Sequence, residues 1–198
     1  MVTVLGKNIG AVGYGMLSLT QPPRVATADQ AIECLRTAAE VGCLACNAGE
    51  FYGAPTYNSL VILNRFFAKY PEYADRVLLN VKGALEDWTP NGTPEFVRKS
   101  VENCLAQLGD KGKIDIFECA RRDMNVPIET TLNTLKKLVD EGKIGSVALT
   151  EVNATTIREA AKIVKVSAVE IELSLWNTDP LSNGVLSTCK ELGIPVFA

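Results

Sequence analysis

Short apolar runs alternate with amphipathic stretches along almost the whole chain, and this alternation narrows the choice of fold more than any single residue does. The runs fall at 9–12, 43–46, 77–81, 114–117, 146–149, 168–171 and 195–197, which predicts seven strands. Several of the intervening stretches carry helix start and stop signals. Thr27 with Gln30 three residues later forms a capping-box pattern, and Gly42 ends that helix. Thr93-Pro94 places proline at a first helical position, and Gly109 follows the apolar face of Val97, Val101, Cys104, Leu105 and Leu108. A third helix begins at Pro127 and stops at Gly142. Asn153 caps a fourth, and Ser182 is expected to cap the last, which Gly193 closes.

Strands joined by crossover helices run parallel, because only a long connection returns the chain in the same direction. Two architectures fit: an open doubly wound sheet and a (β/α)8 TIM barrel. The doubly wound fold calls for a G-x-G-x-x-G turn leading straight into a helix. Gly10 to Gly15 matches it only loosely, and Pro22-Pro23 follows where a capped helix should start. Seven evenly repeating units favour the barrel. A barrel of this kind has eight strands and about 250 residues. The reading is therefore an α/β chain, a single domain over residues 1–198, incomplete as a barrel with about seven of eight strands. Two unpaired edges and marginal stability are expected to follow.

Composition excludes several functions. Apolar residues make up 47% of the 198, and the formal net charge is −3. No basic run suits nucleic acid, no apolar stretch of about 18 residues suits a membrane span, and no secretory signal pattern opens the chain. A cytoplasmic protein, or one shared with the nucleus, is expected. The six cysteines read as reduced core thiols, and with no histidine in the chain a metal site is not expected. The same absence removes every histidine-based acid or base, leaving Tyr, Lys, Asp, Glu and Cys for proton chemistry.

In a parallel barrel, chemistry sits at the C-terminal ends of the strands. Tyr52 follows the second run closely, and Lys82 follows the third. A phenol has a pKa of about 10 and donates reluctantly at neutral pH. A neighbouring ammonium stabilises the phenolate and is expected to tune Tyr52 downward. Asn47 can orient Lys82 while adding no charge, which leaves the ammonium free to act on Tyr52.

These residues, in order and with the right spacing, resemble the aldo-keto reductase family. The carriers are Gly13-Tyr14-Gly15, the stretch from Asn47 to Gly53, Lys82, Ala120-Arg121-Arg122-Asp123, Leu149-Thr150-Glu151-Val152, and Glu172 to Leu175. The wording Asn-x-Gly-Glu-Phe-Tyr-Gly is most similar to the fungal pyridoxal reductase branch. The resemblance implies NADPH-dependent reduction of a small aldehyde, pyridoxal to pyridoxine, with NADP as cofactor. It places Tyr52, Lys82 and Asn47 as catalytic residues and Gly13, Tyr14, Thr150, Glu151 and Glu170 at the cofactor. Trp88, Ala120 and Arg121 fall in the substrate pocket. Asn47 stands where most members have aspartate, Ala120 where most have histidine, and Glu170 where glutamine is common. The family's phosphate grip lies beyond the seventh strand, so weak NADPH binding and impaired activity are expected of these 198 residues. A non-catalytic interaction module or an inactive remnant of a reductase are the competing readings.

Overall fold

The computed structural model describes residues 2–198. Seven strands form one sheet: β1 (Tyr14–Gly15), β2 (Ala45–Gly49), β3 (Leu78–Gly83), β4 (Ile116–Cys119), β5 (Val147–Thr150), β6 (Val166–Glu170) and β7 (Val196–Phe197). They lie side by side in chain order, and every neighbouring pair is parallel. Six main helices pack outside them: α1 (Ala28–Glu40), α2 (Ser59–Lys69), α3 (Pro94–Leu108), α4 (Ile128–Asp140), α5 (Ala154–Ala161) and α6 (Val185–Leu192). This is the incomplete (β/α)8 barrel that the alternation implies. Among the described residues nothing joins β1 to β7, and a cavity of about 410 Å³ opens between them.

The period of two along each strand separates two interiors. Cys46, Ala48, Leu79, Val81, Phe117, Val147, Leu149 and Val169 face outward into the layer shared with the helices. Leu78, Ile116, Ala148 and Ala168 face inward, where Val4 and Ile9 meet them. Two residues further along, the inward positions turn polar, as Asn47, Asn80, Glu118 and Glu170. The inside of the sheet thus has an apolar floor and a polar mouth.

An N-terminal hairpin, Thr3–Val4 against Lys7–Asn8, covers the floor. Lys7 Nζ donates to Val77 O at 2.6 Å and to Asp115 Oδ2 at 2.9 Å, and Leu79 N–H donates to the same carboxylate oxygen at 2.8 Å. This corrects the expected first strand at 9–12: Ile9 belongs to the floor, and the barrel strand begins at Tyr14. Ile9 alone of that run serves as a plug, while Val12 is exposed.

The capping box forms as expected, with the Thr27 hydroxyl accepting from Gln30 N–H at 3.3 Å and the Gln30 amide oxygen accepting from Thr27 N–H at 3.0 Å. Asn153 Oδ1 likewise accepts from Thr156 N–H at 2.9 Å. The last helix differs. It starts at Val185, whose N–H bonds Asn183 Oδ1 at 3.1 Å, while Ser182 closes the preceding 3-10 turn. Helix α2 carries no proline or glycine start signal. Asn58 opens it instead, its Oδ1 accepting from both Leu60 and Val61 N–H at 3.0 Å. No described helix is long and apolar enough to cross a membrane. All six cysteines are free.

Candidate active site

Four strands and one loop build the polar mouth. Lys82 ends the inward face of β3, with register partners Gly49 on β2 and Glu118 on β4. Gly49 is needed for more than the turn. A Cβ there would stand 2.7 Å from the Tyr52 ring, so only glycine lets the loop fold its tyrosine back over the strand end. Tyr52 is 8% exposed and Lys82 6%.

Asn47 joins the two. Its Oδ1 accepts from Lys82 Nζ at 3.3 Å and from the Tyr52 hydroxyl at 3.4 Å. Its Nδ2 donates to Glu170, which also pairs with the Lys82 ammonium. Glu118 Oε1 lies 3.2 Å from Lys82 Nζ and accepts from Asn80 Nδ2 at 2.9 Å. The second hydrogen of that amide reaches Glu170 Oε2 at 3.2 Å. One ammonium therefore stands between two carboxylates, and two asparagine amides tie the set together.

The electrostatics correct the expected tuning of Tyr52. Burial pushes its phenol above the usual value; Lys82 pulls it back, while Glu170 and Glu118 add to the rise. Asparagine at position 47 does not leave the ammonium free, because Glu170 supplies the charge that Asn47 lacks. Burial also pulls on Lys82, but Glu118 and Glu170 outweigh it and hold the ammonium above its ordinary value. Burial pushes the Glu118 carboxyl up to about 8, Lys82 opposes the rise and the Glu170 carboxylate adds to it.

The other expected residues scatter around this core. Gly13 and Tyr14 line the cavity beside β7. The Tyr14 hydroxyl, however, meets Cys34 on α1, and burial there raises the phenol to about 12. Tyr14 thus offers the mouth its backbone and not its acid group. Thr150 is buried and in register with Glu170. Glu151 takes a positive φ of 51°, and its carboxylate accepts from Glu172 N–H at 2.7 Å. Ala120 is buried just beyond β4. Arg121 donates to Ala120 O at 2.6 Å, and Arg122 donates to Thr156 Oγ1 at 2.8 Å, on the helix side of the sheet. Trp88 tips a hairpin between Leu85–Glu86 and Thr89–Pro90, where Asp87 and Trp88 both have positive φ, as a two-residue turn with matching twist requires. Its ring is 70% exposed and meets Phe51 edge-on at 5.7 Å, and Phe51 meets Tyr52 at 5.1 Å. An aromatic rim runs from solvent to the phenol.

Two members of the cluster escape the sequence reading. Glu118 and Asn80 sit inside apolar runs that look like plain core. The signal is their parity: each is a polar residue on the inward face, two positions from an apolar floor residue and in step with Lys82.

A parallel half-barrel with a tyrosine and a lysine meeting at the C-terminal ends of its strands defines an aldo-keto reductase type of site. The chain belongs to that family: the model of the aldo/keto reductase family matches residues 11–198. It is 46% identical over 202 residues to the Schizosaccharomyces pombe protein named "Probable pyridoxal reductase 2", covering 100% of this chain and 60% of that one. It is 33% identical over 194 residues to "Probable aldo-keto reductase 1" of Glycine max, covering 96% of this chain and 55% of the relative. The chain thus spans rather more than half the length of the curated relatives it matches. In fold it superposes on the glycerol dehydrogenase of Gluconobacter oxydans with a TM-score of 0.82 at 19% identity, covering 100% of this chain and 62% of the other. A thermostable aldo-keto reductase in complex with the inhibitor epalrestat gives a TM-score of 0.81 at 18% identity, covering 98% and 70%.

Proposed function

We propose that this chain carries the proton-donating half of an NADPH-dependent aldehyde reductase, with pyridoxal reduced to pyridoxine as the reaction. The observation that carries the reading is the shared Asn47 Oδ1, which holds the Tyr52 hydroxyl and the Lys82 ammonium together beside an open cavity. The residues fit a nicotinamide there. Gly13, Tyr14, Asn47 and Glu170 line the cavity, with Thr150 in register beside Glu170. When bound, that group supplies a hydride to the carbonyl carbon. Tyr52 gives its proton to the carbonyl oxygen, and its raised pKa keeps the phenol protonated and ready at neutral pH. Lys82 stabilises the phenolate left behind. Buried Ala120 makes no hydrogen bond to substrate through its side chain, so recognition falls to the Trp88–Phe51 rim, which suits a flat aromatic aldehyde. A cytoplasmic setting goes with this reading.

The test is NADPH consumption with pyridoxal by the purified chain and by Tyr52→Phe. Turnover in the first and a fall of two or more orders of magnitude in the second is the expected result. Equal rates would remove the mechanism. Leu175 and Trp176, each at 90% exposure, favour one alternative, a barrel that works by association. That reading expects no NADPH binding by the chain alone.

A further inference from the structure

Two buried oxygens in the site have no hydrogen-bond partner, Glu118 Oε2 and Asn80 Oδ1. They belong to groups already joined by the 2.9 Å bond from Asn80 Nδ2 to Glu118 Oε1. Read as a carboxylate and an amide, the pair leaves two acceptors facing a dry interior, an arrangement that costs the full desolvation of each. A single proton on this carboxyl eases both shortages of partner and charge: it removes one of the two negative charges around Lys82, and a neutral acid is far cheaper to bury with an unpaired oxygen than a carboxylate is. Glu118 has no exposed surface, so bulk water does not solvate it. Charge counting agrees. The groups facing Glu118 from the elements around it are Lys82 on β3, Glu170 on β6 and Tyr52 in the loop after β2; β5 contributes Ala148 and Thr150, which do not titrate. One cation faces two carboxyls, and Glu118, with no exposed surface, is costlier to charge than Glu170, whose side chain is 23% exposed.

We propose that Glu118 is a proton-storing group placed behind Lys82, which recharges the ammonium after Lys82 has returned a proton to Tyr52. The steps balance in protons. The Tyr52 O–H bond breaks as the substrate oxygen takes its proton. A Lys82 N–H bond breaks as the phenolate is reprotonated. With the acid proton on Oε1, the Glu118 O–H bond breaks as Lys82 Nζ, 3.2 Å from that oxygen, regains a third hydrogen. Glu118 ends as a carboxylate and takes its proton back from solvent by the same route. No metal or oxidant enters. Tyr52 touches substrate in this scheme, whereas Glu118 acts only through Lys82 and is a positioning residue. The raised pKa of Glu118 is what a group holding a proton near neutral pH requires.

The relay rests on the reductase reading, but the stored proton can be tested without turnover. Infrared spectra of the purified chain in heavy water should show a protonated carboxylic acid band that persists well above the usual carboxyl range and titrates near pH 8. Glu118→Gln should remove it. Titration of the phenolate absorbance, with Tyr52→Phe as the blank that isolates Tyr52, should show the Tyr52 midpoint moving down in Glu118→Gln, because a carboxylate facing the phenol is gone. A wild-type chain with no such band, a band that survives in Glu118→Gln, or an unmoved Tyr52 midpoint overturns the proposal. Since the first of these needs no variant, a misfolded Glu118→Gln does not shield it. If the chain consumes no NADPH but the band and the midpoint behave as stated, the reductase reading fails and the stored proton stands.

Discussion

The sheet holds a lysine at each end, Lys82 buried and Lys7 half-buried, and they are balanced differently. At the floor Lys7 meets one carboxylate, Asp115, and the remaining contacts of both are backbone groups of Val77 and Leu79. At the mouth Lys82 meets two carboxyls, and two polar atoms beside it go without partners. The floor pair is balanced one to one. On the relay proposed above, the mouth cluster is one proton away from balance, and that shortfall is what would let it take part in proton transfer. Polar groups buried in one sheet thus divide into a fastening and a device, and the division is made by counting charges and lone pairs at each.

The largest expected effect separates the two ends. Lys82→Met leaves Glu118 and Glu170 without a cation, and removing one partner of a buried pair costs about 3–5 kcal/mol. Lys7→Met frees Asp115, which still accepts a backbone N–H and is partly wet, so its cost should be smaller. Thermal melts of both variants check this, and a milder loss for Lys82→Met would break the comparison. Tyr52→Phe should lower turnover by a factor of about 100 or more, roughly 3 kcal/mol of barrier, while the melt scarcely moves. Floor variants should do the reverse.

A double-mutant cycle sharpens the comparison further. Asn47→Asp alone turns a donor to Glu170 into a second acceptor, and should destabilise by about 1–3 kcal/mol. Adding Glu170→Gln restores a donor facing an acceptor and should recover most of the loss, with the charge now on β2. Additive effects in denaturant titrations would show that the two do not act as a pair.

The pH dependence has a definite sign. Glu118 stands at about 8 in the folded chain against about 4.3 for a free glutamate, so between those values only the native state keeps the proton. The stabilisation is present below about pH 4.3 and is lost as pH rises through about 8. Melting temperature should fall across that window, and Glu118→Gln should flatten the fall. The smallest effect expected is for Gly49→Ala. Its Cβ would meet three Tyr52 ring atoms at 2.7 to 2.9 Å, so the ring must leave its place over the strand end, and activity should drop more than stability.

Much of this site was legible because barrel chemistry collects where strands end. Tyr52, Lys82, Asn47 and Glu170 all stand at such ends, and the structure brings them into one hydrogen-bonded set. Glu118 was not legible by that rule, because it is embedded in Ile116-Phe117-Glu118-Cys119, where a residue count alone suggests core. Tyr14 misled in the opposite way. Its strand is two residues long, too short for alternation to reveal which face the ring takes. The expected strand at 9–12 had the right hydrophobicity and the wrong role, because apolar content does not distinguish a strand from a plug. The tuning of Tyr52 was missed for a related reason. A lysine nearby predicts a lower pKa only when nothing else claims its field, and the two glutamates that do so come from strands 36 and 88 residues further on, as the separations of Glu118 and Glu170 from Lys82 show.

The floor hairpin also bears on how the chain reaches its native state. The partners of Lys7 lie 70 and 108 positions downstream. Its ion pair cannot form until Asp115, just before β4, has emerged, and closing a loop of that length carries an entropy cost before the contact rewards it. The hairpin must wait with Val4 and Ile9 uncovered while the later βα units form. Early truncations that end before Asp115 should therefore expose this segment to proteases, and its protection should appear late, as a clasp fastened once the sheet has curled.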